Sequence, residues 1–329
     1  MTKSISKEIW DAAIGLQKVD GLSVSEYFLD LVKDNIKGNI TIDEVEEKIE
    51  SYYEAVDKRK IEDSSREADL VSKRISRLLN EETFCFSIGE LVSVHRRLFA
   101  GIIKDAGKFR DKDISKKEWI LNGDSVIYSS FESIEDNLKY DFDLERDFSY
   151  KGLSIEEVVN HITKFTSYIW QVHPFFEGNT RTISVFIVKY LRSKGFKANY
   201  ELFLDNSYYL RNALVRSNYS NYNKNIFEDN IYLKHFFYNL IGSGNYILRN
   251  RDLHVDNENF IRLDNISCTL EEKSVLMLIK DNPFIKIKDI SLATRKSERT
   301  IKNYINSLKN KGIIKRINGK RNGKWEFSI

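Results

Sequence analysis

A nine-residue loop, His173 to Arg181, lies between two strongly apolar segments with helical character. The segment before it reads FTSYIWQV and the one after it TISVFIVKYL. The loop therefore leads into the N-terminus of an apolar helix. Such a terminus offers unpaired backbone N–H groups and the positive end of the helix dipole to an anion. Gly178 and Asn179 form a candidate anion cradle, because a glycine lets phosphate oxygens come close to the backbone.

The same loop carries four side chains of the kind that handle nucleotides. His173 is a base that titrates near neutral pH, Asn179 supplies an amide, and Arg181 is a permanent cation. Glu177 lies between them and offers a carboxylate to a hard metal ion. A lone histidine is more often a packed or solvated residue than a catalyst, so the inference depends on the four residues together.

This stretch resembles the Fic motif, HxFx(D/E)GNxR. The stretch from Leu91 to Ile120, which includes Arg110, is similar to the region that precedes the flap in that family. The resemblance covers about residues 60 to 250 and implies an all-helical core with one β-hairpin, the flap. The residue pattern agrees independently, since this range is mostly helical and carries a hairpin signal at Asn122–Gly123.

The resemblance implies a role for each residue of the loop. His173 is the general base that takes the proton of a target hydroxyl as the hydroxyl attacks the α-phosphate of ATP. Glu177 holds Mg²⁺ across the phosphates, and Arg181 stabilises the charge that grows as pyrophosphate leaves. Four consecutive residues bind the phosphates: Gly178, Asn179, Thr180 and Arg181. The implied reaction is transfer of AMP from ATP to a Tyr, Ser or Thr hydroxyl of a target protein or of the chain itself.

The resemblance also places a target-binding flap at residues 117–128. An extended target segment would add to the flap as a strand, which gives affinity with little sequence preference. The flap residues assigned to the target are Trp119, Ile120, Val126 and Tyr128. The stretch 207–219 carries candidates for adenine or ribose contacts, although packing between helices explains them equally well. These candidates are Tyr208, Tyr209 and Asn212.

Two residues depart from the common family pattern. Thr180 replaces the usual glycine between Asn and Arg, and we expect its side chain to lie beside the phosphate site. Ser184 replaces a second arginine. Relatives that transfer other phosphate-containing groups also vary here, so another transferred group stays open as an alternative. Gly178 favours AMP, because a larger residue would close the anion cradle.

Residues 1–57 are predicted to form a helical domain that resembles the antitoxin modules of Fic enzymes. Those modules inhibit through an (S/T)xxxE(G/N) motif, which aligns with Leu16 to Gly21. Asp20 replaces the motif glutamate and is the candidate inhibitory residue. Since the usual arginine partner is Ser184 here, we expect residues 1–57 to act mainly as a structural lid that inhibits weakly.

The C-terminal part of the chain is basic, while the rest is acidic. Residues 265–329 contain 15 Lys and Arg against 6 Asp and Glu, although the net charge of the whole chain is only +3. This asymmetry indicates an anionic partner, most often nucleic acid, or only a solvated basic face.

Three predicted helices, at 270–280, 287–293 and 297–310, precede a strand pair at 313–317 and 324–327. This order resembles the winged helix-turn-helix family. The residues assigned to DNA are Arg299, Lys302, Asn303, Lys320 and Arg321. Winged helices also dock proteins, but we favour DNA because phosphate neutralisation requires clustered cations.

The predicted fold class is mainly α, and 329 residues with 41% apolar content suffice for several domains. A helical antitoxin-like domain spans 1–57 and an all-helical Fic catalytic domain with one β-hairpin flap spans 60–250. A linker at 251–266 leads to a winged-helix (α+β) domain at 267–329.

No apolar run of membrane length and no signal peptide occurs in the sequence, so we expect a cytoplasmic protein without membrane contacts. The expected cofactors are ATP and Mg²⁺, and monomer and homodimer both stay open. The rival hypothesis is a DNA-binding transcriptional regulator whose Fic fold senses a ligand or is inactive. The complete set of loop residues argues against it.

Overall fold

The computed structural model describes residues 5–55, 63–224, 226–256, 268–294, 296–317 and 323–328. The chain divides into two compact units, residues 1–255 and 256–329. Thirteen α-helices and two β-strands lie within the described ranges, which confirms the mainly helical fold class. Within these ranges, no helix is both long enough and apolar enough to cross a membrane.

Ten of the helices belong to the first unit. In chain order they are α1 (Lys7–Gly15), α2 (Glu26–Ile36), α3 (Ile42–Ala55), α4 (Asp63–Asn80), α5 (Ile88–Phe99), α6 (Ile134–Asp147), α7 (Ile155–Val172), α8 (Asn179–Ser193), α9 (Leu202–Ser217) and α10 (Ile231–Leu240). The charged and serine-rich sequence at 58–67 predicts a connection, but this prediction is wrong for its last five residues, because α4 already begins at Asp63. Its acidic and serine-rich sequence suits the first turn of a helix as well as a loop.

The first three helices share an apolar core that includes Trp10, Phe28 and Val45. A short 3₁₀ helix, Leu16–Asp20, continues directly from α1. Because α1 also packs against α4 and α9, residues 5–55 lie in the same compact unit as the remaining helices up to α10.

The α7–α8 pair forms the centre of this unit and flanks the predicted loop. Helix α7 begins with a capping box, in which Ser154 and Glu157 bond to each other's backbone N–H groups. In α8 every residue from Asn179 to Leu191 is buried. Such complete burial matches the apolar sequence on both sides of the loop.

The flap segment, residues 117–128, reverses direction but does not form the predicted strand ladder. Asn122 and Gly123 both have positive φ, as a tight reversal requires, and a short 3₁₀ helix, Trp119–Leu121, precedes them. The Ile120 carbonyl accepts from the Val255 N–H, and the Ile127 carbonyl accepts from the Gln171 side chain. These distant partners explain why the two arms do not pair regularly with each other.

The second unit contains α11 (Leu270–Asp281), α12 (Ile287–Thr294) and α13 (Glu298–Asn310), followed by β1 (Ile314–Ile317) and β2 (Lys324–Phe327). The strands pair antiparallel. A small core that includes Leu276, Ile290 and Trp325 joins helices and strands, and the Trp325 indole donates to the Ile285 carbonyl at 3.0 Å. The order of elements agrees with the prediction, and the assignment to the winged-helix family stays a prediction.

Candidate functional site

His173 terminates α7 in a left-handed conformation, with φ 49°. Its side chain is 3% exposed, and neither ring nitrogen has a hydrogen-bond partner. Burial lowers its pKa well below the ordinary value, and the nearby charges of Lys116, Arg110 and Arg211 lower the pKa further. His173 is therefore a neutral imidazole that is able to accept a proton.

A buried arginine from outside the loop holds its first residues. Arg110 donates through Nε to the His173 carbonyl at 2.9 Å, and its backbone N–H donates to the Pro174 carbonyl at 2.8 Å. Its guanidinium also donates to the carbonyls of Lys112 and Ser129. Since two of these acceptors belong to the loop and Ser129 directly follows the flap segment, Arg110 joins the two segments.

Asn179 closes the loop on itself. Its side-chain oxygen accepts from the Phe175 N–H at 3.0 Å, and its side-chain nitrogen donates to the Phe175 carbonyl at 2.7 Å. The amide oxygen and one of the two amide N–H groups of Asn179 therefore shape the loop.

His95 supports the loop from α5. Its ring stacks on Phe175 with 3.7 Å between ring centroids, Nδ1 accepts from the Gly107 N–H, and Nε2 lies 3.1 Å from the Glu177 carbonyl. Burial lowers the pKa of His95 to about 4, so the ring is neutral. A proton on Nε2 satisfies both contacts.

The start of α8 provides the predicted anion cradle from backbone groups. The Thr182 N–H donates to the Gly178 carbonyl and begins the hydrogen-bond ladder of α8. The N–H groups of Asn179, Thr180 and Arg181 precede it and have no acceptor within the helix. These three groups, with the helix dipole, suit a phosphate.

Gly178 is required for a reason that the sequence did not indicate. Its φ is 73°, and a Cβ atom at this position would lie 2.4 Å from Cε2 of Phe99. A larger residue would collide with this ring, which differs from the expected effect of closing the cradle.

Arg181 is buried among partners from two other segments. Its Nη1 donates to Gln17 Oε1 at 3.0 Å, and its Nη2 donates to Glu67 Oε1 at 2.7 Å. Nε lies 2.8 Å from Asp20 Oδ2, an ion pair without the angles of a hydrogen bond. Asp20 thus contacts the arginine that closes the nine-residue motif, in the first turn of α8.

Glu177 is the candidate metal ligand. Its side chain is exposed, and within the described ranges its carboxylate has no hydrogen bond or ion pair. Those ranges contain no group of three or more His, Cys, Asp or Glu that could hold a metal ion. One free carboxylate fits Mg²⁺ that is bound jointly with substrate phosphates, which is how Mg²⁺ is usually held at nucleotide sites.

The Fic/DOC family model matches residues 85–191, a range that includes α5, the flap segment, α7 and the loop. This part of the chain is a Fic/DOC domain.

Over 153 residues the chain is 28% identical to the protein adenylyltransferase VbhT of Bartonella schoenbuchensis. The matched stretch covers 43% of this chain and 30% of the length of that relative.

Two solved structures are also similar. BepC, a VirB-translocated effector protein from Bartonella tribocorum with bound AMPPNP, is 19% identical with a TM-score of 0.44, covering 57% of this chain and 89% of that chain. A Fic family protein from Desulfovibrio desulfuricans is 12% identical with a TM-score of 0.46, covering 98% of this chain and 86% of that chain.

The two residues that depart from the common family pattern face the interior. The Thr180 hydroxyl accepts from the Trp170 indole at 3.0 Å, so the expectation that this side chain lies beside the phosphate site is wrong. The Ser184 hydroxyl donates to the Thr180 carbonyl and lines a small apolar pocket with Phe203.

Of the flap residues assigned to a target, only Trp119 is substantially exposed, at 43%. Ile120, Val126 and Tyr128 are buried, so their side chains do not face a target in this conformation. Ile127, which the sequence prediction did not include, is 82% exposed. Any contact of the buried residues with a target would come from the backbone.

The candidates for adenine contacts are divided between surface and core. Tyr209 is buried and donates to the Tyr232 carbonyl, which is the packing role that the sequence left open. Tyr208 is partly exposed. Asn212 is buried, donates to the Asn250 side chain at 2.7 Å, and has an unpartnered side-chain oxygen.

The residues assigned to DNA lie in the second unit. Arg299, Lys302 and Asn303 are exposed on α13. Lys320 and Arg321 lie outside the described residues.

Sequence reasoning gave no role to Arg110, His95, Gln17 or Glu67. Arg110 lies in the stretch that carried the family resemblance, so a signal existed. Glu67 lies in the segment whose sequence predicts a connection, and its contact with Arg181 depends on how α4 packs. No local pattern indicates such a partner.

Proposed function

We propose that this protein is a Fic-type transferase that moves AMP from ATP to a hydroxyl group of a protein. The observation that carries the proposal is a single loop that joins the neutral, unpartnered imidazole of His173 to the unpaired N–H groups at the start of α8. This arrangement supplies a base and an anion site together. The relative named protein adenylyltransferase supports the same activity.

In the proposed reaction, a ring nitrogen of His173 takes the proton of the target hydroxyl. The hydroxyl oxygen forms a bond to the α-phosphorus of ATP, and the bond from that phosphorus to the oxygen bridging to the β-phosphate breaks. Pyrophosphate leaves with this oxygen and its electron pair. The N–H groups of Asn179, Thr180 and Arg181 stabilise the negative phosphate oxygens.

Glu177 would hold Mg²⁺ together with the substrate phosphates. Bound there, the ion would neutralise phosphate charge. The Arg181 guanidinium is the second positive group proposed for the phosphates, and its pairing with Asp20 and Gln17 competes with that role.

The proposal is tested with ATP labelled at the α-phosphate or at the γ-phosphate, incubated with the purified protein, Mg²⁺ and a cell lysate. We expect protein-bound label from the α-position only, lost in His173→Ala and kept in His235→Ala, whose ring stacks on Tyr246. Label from the γ-position alone would indicate phosphoryl transfer. No label from either position would favour the regulator hypothesis or strong inhibition by residues 1–57.

We propose DNA binding by the second unit as a second candidate function. The observation that favours it is one polar face of α13, with Arg299, Lys302, Asn303 and Asn306 exposed while Ile301, Ile305 and Leu308 fill the core. A helix with this division is suited to the major groove.

The test measures binding of the full chain to double-stranded DNA of mixed sequence over a range of salt concentrations. Lys302→Ala should weaken binding and reduce the salt dependence by about one counterion. Lys273→Ala, on α11 and outside the exposed face of α13, is the matched control. Binding that neither salt nor Lys302→Ala changes would contradict DNA contact through this face.

A further inference from the structure

His173 and Tyr128 bury unpartnered polar atoms beside each other. Their ring centroids are 4.2 Å apart, and Trp170 packs edge-on against both rings. Tyr128 is 8% exposed, and its hydroxyl is buried without a partner, as are both nitrogens of His173. Buried polar groups are almost always paired, so three unpaired atoms on two adjacent rings require an explanation.

Backbone hydrogen bonds on either side of Tyr128 hold this residue beside the C-terminal end of α7. The Ser129 N–H donates to the Gln171 carbonyl, the Ser129 carbonyl accepts from Arg110, and the Ile127 carbonyl accepts from the Gln171 side chain. Side chains alternate along this stretch, so that Ile127 faces solvent while Tyr128 faces inward. The cover on His173 is therefore part of the segment that the target is proposed to contact.

We propose that Tyr128 occupies the place of the acceptor beside His173, and that the acceptor of the target is a tyrosine which displaces it. The inference rests on the proposed function and names the substrate class of the same site. A reacting hydroxyl must come within hydrogen-bond reach of His173, and Tyr128 covers the ring. The covered space already holds a phenol ring packed on Trp170, so an incoming tyrosine refills it.

A serine or threonine acceptor would fill this space poorly. Its short side chain would leave the Trp170 face and the walls of the space without contacts. An incoming tyrosine, in contrast, replaces the ring and brings a hydroxyl to the unpaired imidazole. Selection therefore comes from apolar contacts of the ring, which typically separate substrates by about 10-fold to 200-fold.

Acceptor choice is measured with the wild-type protein, α-labelled ATP and two peptides that differ only in Tyr or Ser at one position. We expect kcat/KM for the tyrosine peptide to exceed that for the serine peptide by about tenfold or more. Equal values, or a preference for serine, would overturn the acceptor assignment.

Whether Tyr128 covers His173 is tested separately, by measuring the pKa of His173 in the full chain by NMR titration. In Tyr128→Ala the pKa of His173 should rise toward its ordinary value, because water reaches the ring. In Tyr128→Phe, which keeps the ring, the pKa should stay low. Ile127→Ala should leave it low as well, since that side chain faces solvent.

An unchanged His173 pKa in Tyr128→Ala would contradict the proposal that Tyr128 covers the His173 ring. If Tyr128→Ala does not fold, the peptide comparison on the wild type still decides the acceptor. If the wild type transfers no AMP to any peptide, the proposed function and the acceptor assignment both fail, while the titration still decides whether Tyr128 covers His173.

Discussion

At the scale of single residues, the surroundings of His173 set its protonation. Its folded pKa lies well below 6.5, because burial removes water and Lys116, Arg110 and Arg211 add positive charge. The unfolded chain takes up this proton below about pH 6.5, whereas the folded protein does not. The stability that the neutral ring contributes is therefore present above that pH and is lost as the pH falls.

For activity, the same shift predicts that the base stays neutral under mildly acidic conditions. We expect kcat/KM for AMP transfer to remain level between about pH 8 and pH 6, with the acid decline well below the usual histidine range. A pH profile measured with α-labelled ATP checks this. A half-maximal point near pH 6.5 would mean that His173 is solvated when it reacts, or that another group is the base.

Gly178 is predicted to be intolerant of any side chain. Gly178→Ala combines a left-handed residue with a Cβ atom 2.4 Å from Phe99, so we expect a loss of about 2–4 kcal/mol in unfolding free energy. Gly152→Ala is the matched control, since Gly152 has φ 81° and no atom within 4 Å of the added Cβ. It should cost about 1 kcal/mol. Equal losses in urea denaturation would contradict a role for the Phe99 contact.

At the scale of elements, Asn179 determines how the loop enters α8. Asn179→Ala leaves the Phe175 N–H and carbonyl without their partners, which should cost about 1–3 kcal/mol and speed amide exchange at Phe175. Asn206→Ala, which removes a bond to the Leu202 carbonyl in α9, serves as the control and should leave Phe175 exchange unchanged. Unchanged exchange in Asn179→Ala would show that Arg110 and His95 hold the loop without it.

The elements also show what sequence patterns were able to predict. Helices α7 and α8 follow from local apolar runs, and the loop between them follows from a contiguous motif, so the sequence predicts all three. The flap ladder did not form, because the carbonyls of Ile120 and Ile127 accept from distant residues instead of from N–H groups of the opposite arm. The partners of Arg181 come from segments far away in sequence, and no local pattern reveals which of them will meet.

At the scale of the whole molecule, the N-terminal helices bring Asp20 and Gln17 to the arginine of the Fic/DOC motif. Asp20 is 38% exposed, although its partner Arg181 is only 3% exposed. Because water reaches Asp20 and Arg181 keeps Glu67 as a partner, we expect this ion pair to contribute only about 1 kcal/mol or less. We therefore expect weak inhibition: Asp20→Ala should raise AMP transfer about two- to fivefold. Asp205→Ala, which loses a 3.7 Å exposed pair with Lys18, should have no effect. An increase in AMP transfer by orders of magnitude would instead make Asp20 a strong inhibitory residue.

The most direct test of the central claim compares Asp20→Ala with the double variant Asp20→Ala/His173→Ala, using α-labelled ATP. This background frees Arg181 from one acidic partner, so inhibition by the N-terminal helices is not mistaken for the absence of a base. Label on protein from Asp20→Ala and none from the double variant is the predicted result. Equal labelling by the two variants would contradict the proposal that His173 is the base for AMP transfer.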